Sequence, residues 1–176
     1  MRTALSIAGV AIFVLTAAGT ALAQGSGAEA RLKQLNITLP ADQAPAANFV
    51  NAVQAGKLLF LSGNTPGGQW PLKGKVGKDL TIEQGCESAR QTGLIMLGKI
   101  RTALGSLDRV KRVVKVLGMV NSADGFSDQP KVVNGFSDLM VEVFGEAIGK
   151  HARSAVGMAG LPGNAPIEVE MIVEVE

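Results

Sequence analysis

The chain ends on IEVEMIVEVE, residues 167–176, where Ile167, Val169, Met171, Val173 and Val175 alternate with Glu168, Glu170, Ile172, Glu174 and Glu176. Successive side chains of a strand point to opposite faces, so this stretch belongs to a sheet with one apolar face and one mostly acidic face. A helix would scatter the same glutamates around its axis. The fold must therefore bury one face of a sheet, and the rest of the chain has to supply the cover.

Two segments can supply it. Thr81, followed three residues later by Gln84, makes a capping box. From there Cys86, Ala89, Gly93, Leu97, Ile100 and Leu104 recur at helical spacing until Gly105 stops the run. Gly93 and Gly98 inside this helix cost about 1 kcal/mol each relative to Ala, which points to a close approach by another backbone. A second helix opens at Pro130, with Asp128 as its cap, presents Val132, Val133, Phe136, Met140, Val143, Phe144 and Ala147, and closes at Gly149. Between the helices, Val110 to Val120 is β-branched and reads as a strand. Upstream, two apolar runs around Gln54-Ala55-Gly56-Lys57 form a hairpin. A Gly- and Pro-rich loop follows, with Trp70 as its packing anchor.

The order β-β-α-β-α-β-β gives an α+β domain, a mixed sheet covered by two helices on one face. Little chain is left to cover the other face, and its strands still carry Val and Met. Sheet-to-sheet closure in an oligomer would bury them.

The N-terminus reads as an address. Arg2, the uncharged run Ala4 to Gly19 and the small-x-small triplet Ala21-Leu22-Ala23 make residues 1–23 read as a cleavable export signal, with an uncleaved anchor as the alternative; the mature chain is expected outside the cytoplasm, in the periplasm if the cell is Gram-negative. Residues 24–47 are small and polar, a flexible lead-in to a domain at 48–176. Of 17 Lys and Arg against 15 Asp and Glu, one Arg and no acid fall within the signal. The near-neutral remainder has no general affinity for nucleic acid or anionic membrane. Cys86 is the only cysteine, read as a small core residue, and His151 is the only histidine. No metal site follows from such a set.

His151 introduces the most informative stretch, HARSAVGMAGLP, in which Arg153 opens an otherwise apolar strand. A guanidinium keeps its proton in proteins, so beside a core it must meet water, an anion or a carboxylate.

LLFLSGNTP, GKVGKDLT, VVNGF, HARSAVGMAGLP and IEVEMI, in this order and spacing, resemble the reactive intermediate deaminase family (RidA, also called YjgF) from about Leu35 to the C-terminus. The resemblance implies a chorismate-mutase-like fold, a homotrimer whose sheets form a central barrel, and sites in the clefts between subunits. It also implies hydrolysis of 2-aminoacrylate-type enamines or 2-imino acids to 2-keto acids and ammonia, without cofactor or metal. On it, Arg153 binds the substrate carboxylate and Glu168 positions the attacking water. Ser62 and Gly63 line the cleft, and Asn134 matches the family's helix asparagine. Two positions depart: Phe49 replaces a tyrosine and Ala155 a frequent cysteine, which puts substrate choice and turnover in question and leaves a non-catalytic trimer binding small carboxylates as the alternative.

From the residues alone, other readings stay open. Arg153 can bridge to a neighbouring subunit's carboxylate, Glu168 is one glutamate among several on its face, and Asn134 can bond to backbone. His151 can shuttle protons or have no role.

Overall fold

The computed structural model describes residues 27–176. The expected export signal at 1–23 lies outside them. The C-terminal alternation becomes strand β5, Ile167–Val175. Ile167, Val169, Met171, Val173 and Val175 are all buried, whereas Glu168, Ile172 and Glu174 are half-buried and Glu170 is exposed. Burial thus follows the period-2 pattern.

β5 lies at the centre of a five-stranded mixed sheet. Strands β1 (Ala52–Ala55) and β2 (Leu58–Asn64) form the hairpin on one side, turning at Gly56, whose φ is +60°. Strands β3 (Val110–Asn121) and β4 (Ala152–Met158) lie on the other, giving the order β1-β2-β5-β3-β4. Only the β3–β4 pair is parallel.

Three helical segments cover the buried face. Helix α2, Ile82–Leu104, starts at Thr81, whose side chain accepts from the Gln84 amide while Gln84 reaches back, and it ends at a left-handed Gly105. Helix α3, Gln129–Phe144, packs beside it and buries Val132, Val133, Phe136, Leu139, Met140 and Val143. Its end differs from the expectation. Gly145, with φ of 78°, breaks the helix, and Ala147 and Gly149 belong to a separate turn, α4, Glu146–Gly149. Asp128 holds the cap position without a side-chain cap bond.

The two α2 glycines are explained by contact. A β-carbon on Gly98 would stand 2.6 Å from the Pro40 carbonyl oxygen, a backbone approach as expected. One on Gly93 would meet the Leu139 side chain at 2.8 Å, so there the neighbour is a side chain. Cys86 is half-buried, and burial pushes its thiol pKa up.

Residues 28–39 correct the flexible lead-in. Ala28–Gln34 form helix α1, which buries Ala28 and Leu32, and Leu39 also joins the core. Ala28 and Leu32 are four residues apart, one helical turn, so a small stripe suffices to dock the segment. Glu29 fastens it by accepting from the Leu107 amide at 3.0 Å.

Among the described residues nothing covers the sheet's second face. Val53, Phe60, Val156 and Met158 are exposed there, among Lys115, Glu170 and Glu174.

Candidate functional site

Two separate places carry the chemistry. The first is a cleft of about 650 Å³ beside the start of β5, where Phe49, Thr65, Trp70, Ile95 and Lys99 stand around Gly63 and Glu168. β2 shifts register between Leu61 and Asn64, which opens the strand at Gly63. The Glu168 carboxylate lies over the Gly63 α-carbon, so closely that a β-carbon there would collide with its oxygen. Burial, and then the charge of Glu170, push the Glu168 pKa up from the usual glutamate value.

The cleft's floor is ionic. Lys99, with its side chain 9% exposed, sits 3.3 Å from an Asp42 oxygen that also accepts from Asn51 at 2.9 Å. Trp70 donates its indole N–H to the buried Ser88 hydroxyl at 2.9 Å, so the anchoring expected of it is combined with a place in the cleft wall.

The second place is the outer edge of the sheet, on β4. Arg153 Nη1 donates to Asn134 Oδ1 at 2.8 Å and to Ser137 Oγ at 3.0 Å, both on α3. Ser137 in turn lies 3.1 Å from His151 Nε2, while His151 Nδ1 is 2.7 Å from the Gly149 carbonyl oxygen. A carbonyl can only accept, so Nδ1 carries the hydrogen and Nε2 of the neutral ring accepts the serine hydroxyl. Burial first, and Arg153 in lesser part, hold the His151 pKa below its usual value. Among the described residues Arg153 thus meets two neutral oxygens and no carboxylate.

The single chain does not bring the sequence-predicted site together. Arg153 is opposite Val116, and Val116 is opposite the buried Met171, so these three share the helix-covered face. Glu168 is opposite Met119, which is opposite Val156, on the uncovered face. Phe49, Gly63 and Glu168 gather at the cleft; Asn134, Arg153 and Ala155 do not border it. Ser62 is also set back. Its hydroxyl donates to the Val50 carbonyl at 2.6 Å and ties down the segment that carries Phe49.

Sequence reasoning missed Lys99, Asp42 and Ser137. Lys99 had a signal, since a lysine inside the apolar run IMLGKI demands a partner. Ser137 had a weaker one, as it stands one helical turn from Asn134.

A five-stranded mixed sheet carrying helices on one face, with this strand order, defines the α+β chorismate-mutase-like fold. Residues 29–175 match the family described as "YjgF/chorismate mutase-like, putative endoribonuclease", and the chain belongs to it. It is 47% identical over 149 residues to Protein TCP17 of Trypanosoma cruzi, covering 82% of this chain and 92% of that one. It is 29% identical to a 2-iminobutanoate/2-iminopropanoate deaminase of Dermatophagoides farinae, covering 80% and 95%. A solved protein of unknown function from Agrobacterium tumefaciens is 40% identical, with a TM-score of 0.76 over 84% of this chain and 91% of that one.

Proposed function

We propose that this chain is an exported, homotrimeric hydrolase of 2-imino acids and their enamines, working in clefts shared by neighbouring subunits. The observation that carries the reading is the Glu168 carboxyl, half-withdrawn from water at the end of a cleft, beside a glycine that leaves room for it. The relative from Dermatophagoides farinae supports the same reaction class.

The reaction asks little of the protein. An imine conjugated to a carboxylate already reacts with water, so holding it and presenting one water supplies most of the acceleration. Arg153 of one subunit would grip the carboxylate in a planar pair. Glu168 of its neighbour takes a proton as water adds to the imine carbon. It returns that proton to nitrogen, giving a carbinolamine. It then takes the hydroxyl proton and passes it to nitrogen as the C–N bond breaks, so that ammonia departs and a 2-keto acid is left. A carboxyl with a raised pKa suits both halves of that exchange, because it gives and takes a proton near neutral pH more evenly than an ordinary glutamate. No metal or cofactor enters any step. Closure of the uncovered sheet faces against one another would bury Val53, Phe60, Val156 and Met158 and bring β4 of one chain towards the cleft of another.

An amino-acid oxidase that generates 2-imino acids provides the test. Added protein should speed release of ammonia and keto acid, and Arg153→Ala should abolish the gain. No gain with any imine overturns the reading.

A second reading, a trimer that binds small carboxylates without turnover, is favoured by Phe49, which puts a phenyl ring in the cleft wall where the family resemblance leads one to expect a hydroxyl. Stabilisation by 2-keto acids with no catalysis would establish it. Endoribonuclease chemistry is less well supported, since the lone His151 is committed to Ser137 and Gly149 and lies outside the cleft.

A further inference from the structure

We propose that Ser137 and His151 are positioning residues that, with Asn134, hold one nitrogen of Arg153 so that the opposite edge of the guanidinium is presented to a carboxylate. The proposal rests on the carboxylate-binding reading of Arg153 and adds two residues which that reading does not use.

The hydrogen-bond directions form a single chain. His151 Nδ1–H donates to the Gly149 carbonyl at 2.7 Å, which fixes the ring and turns the bare Nε2 towards Ser137. The Ser137 hydroxyl gives its only hydrogen to Nε2 at 3.1 Å, and its lone pairs are left to face Arg153. Nη1 then donates one hydrogen to Ser137 at 3.0 Å and the other to Asn134 at 2.8 Å, and is fully used.

What remains is specific. An arginine has five N–H groups in a planar fork. With both Nη1 hydrogens committed, the end-on fork across Nη1 and Nη2 is closed, and the side-on fork of Nε and Nη2 is left. Neither of these nitrogens has a partner among the described residues. The fork matches the spacing of two carboxylate oxygens. Without Ser137 and His151 the guanidinium turns more freely, and a carboxylate has to fix it on binding, at a cost in affinity.

Calorimetric titration of the full-length oligomer with 2-oxobutanoate and with its neutral amide tests the proposal. Ser137→Ala and His151→Ala should each weaken binding of the acid by about tenfold, as expected when a pre-set fork is loosened. Binding of the amide should change little. Ser137→Thr, which keeps the hydroxyl, should restore most of the affinity. The double alanine variant should bind no worse than the weaker single one, because both residues act along one chain. Equal affinity for the acid in wild type and variants, or an equal loss for acid and amide, overturns the positioning role alone. A wild type that binds the acid but hydrolyses no imine overturns the deaminase reading alone. A wild type that binds no 2-keto acid overturns both.

Discussion

The cleft at Glu168 and the strand edge at Arg153 are prepared in opposite ways. At the cleft, a carboxyl has lost much of its water and gained little in return, so its pKa rises. At the edge, a cation is braced by two oxygens and a histidine behind them, with three of its five donors still open among the described residues. On the proposed reading, the first place moves a proton and the second holds a charge still. The sheet places them on its opposite faces in the single chain. A reaction that needs both must therefore draw them from two chains.

The largest effect should come from the proton-moving half. Glu168→Gln keeps the shape and removes the base, and turnover should fall about a thousandfold while keto-acid affinity stays within a few-fold. Comparable losses in kcat and in affinity would instead make Glu168 a binding residue and erase the contrast. Gly63→Ala should come next. Its added carbon must push the carboxylate aside, and a displacement of about 1 Å is enough to lower turnover about a hundredfold. Steady-state rates at an unchanged thermal midpoint check it.

The charge-holding half should respond more gently. Arg153→Lys keeps the charge but loses the fork, and carboxylate affinity should drop about tenfold with little change in kcat. If kcat falls as far as it does in Glu168→Gln, the two places share one role.

The smallest effects distinguish the halves by sign. Glu168 has a raised pKa when folded, so the folded state holds its proton more tightly and this group favours folding less as pH climbs from the usual glutamate range to the raised value. Relative to wild type, Glu168→Gln should therefore gain stability across that window. His151 has a lowered pKa when folded, so its contribution is present above the usual histidine range and is lost as pH falls through that range towards the lowered value. His151→Gln should flatten that acid-side loss. Denaturant midpoints measured from acid to neutral pH read both slopes.

How much of this was legible beforehand depended on local rules. The capping box at Thr81 and Gln84 and the left-handed Gly105 marked α2 to the residue, because both signals act within one turn. The alternation through β5 fixed which residues face the core. Helix α1 escaped because Ala28 and Leu32 form too small a stripe to stand out, and its docking depends on Glu29 reaching Leu107, a partner distant in sequence. The end of α3 was misplaced because Phe-Gly-Glu-Ala-Ile-Gly stays amphipathic through Gly145, and only backbone geometry breaks it there. At the site, Arg153, Asn134, Gly63 and Glu168 came through the family resemblance. Ser62 came through it as well, and in the single chain its hydroxyl is turned to the Val50 carbonyl. Ser137 escaped because its contact with His151 joins residues fourteen apart in the sequence, beyond the reach of helical spacing.

Subunit mixing asks the central question most directly. Arg153→Ala and Glu168→Gln chains, each inactive alone, are unfolded together in equal amounts and refolded as hybrids. If each site takes its arginine from one chain and its glutamate from another, about one quarter of the sites regain both groups, and a similar share of wild-type activity should return. If the hybrids stay as inactive as their parents while a wild-type control refolds fully active, the shared site is contradicted.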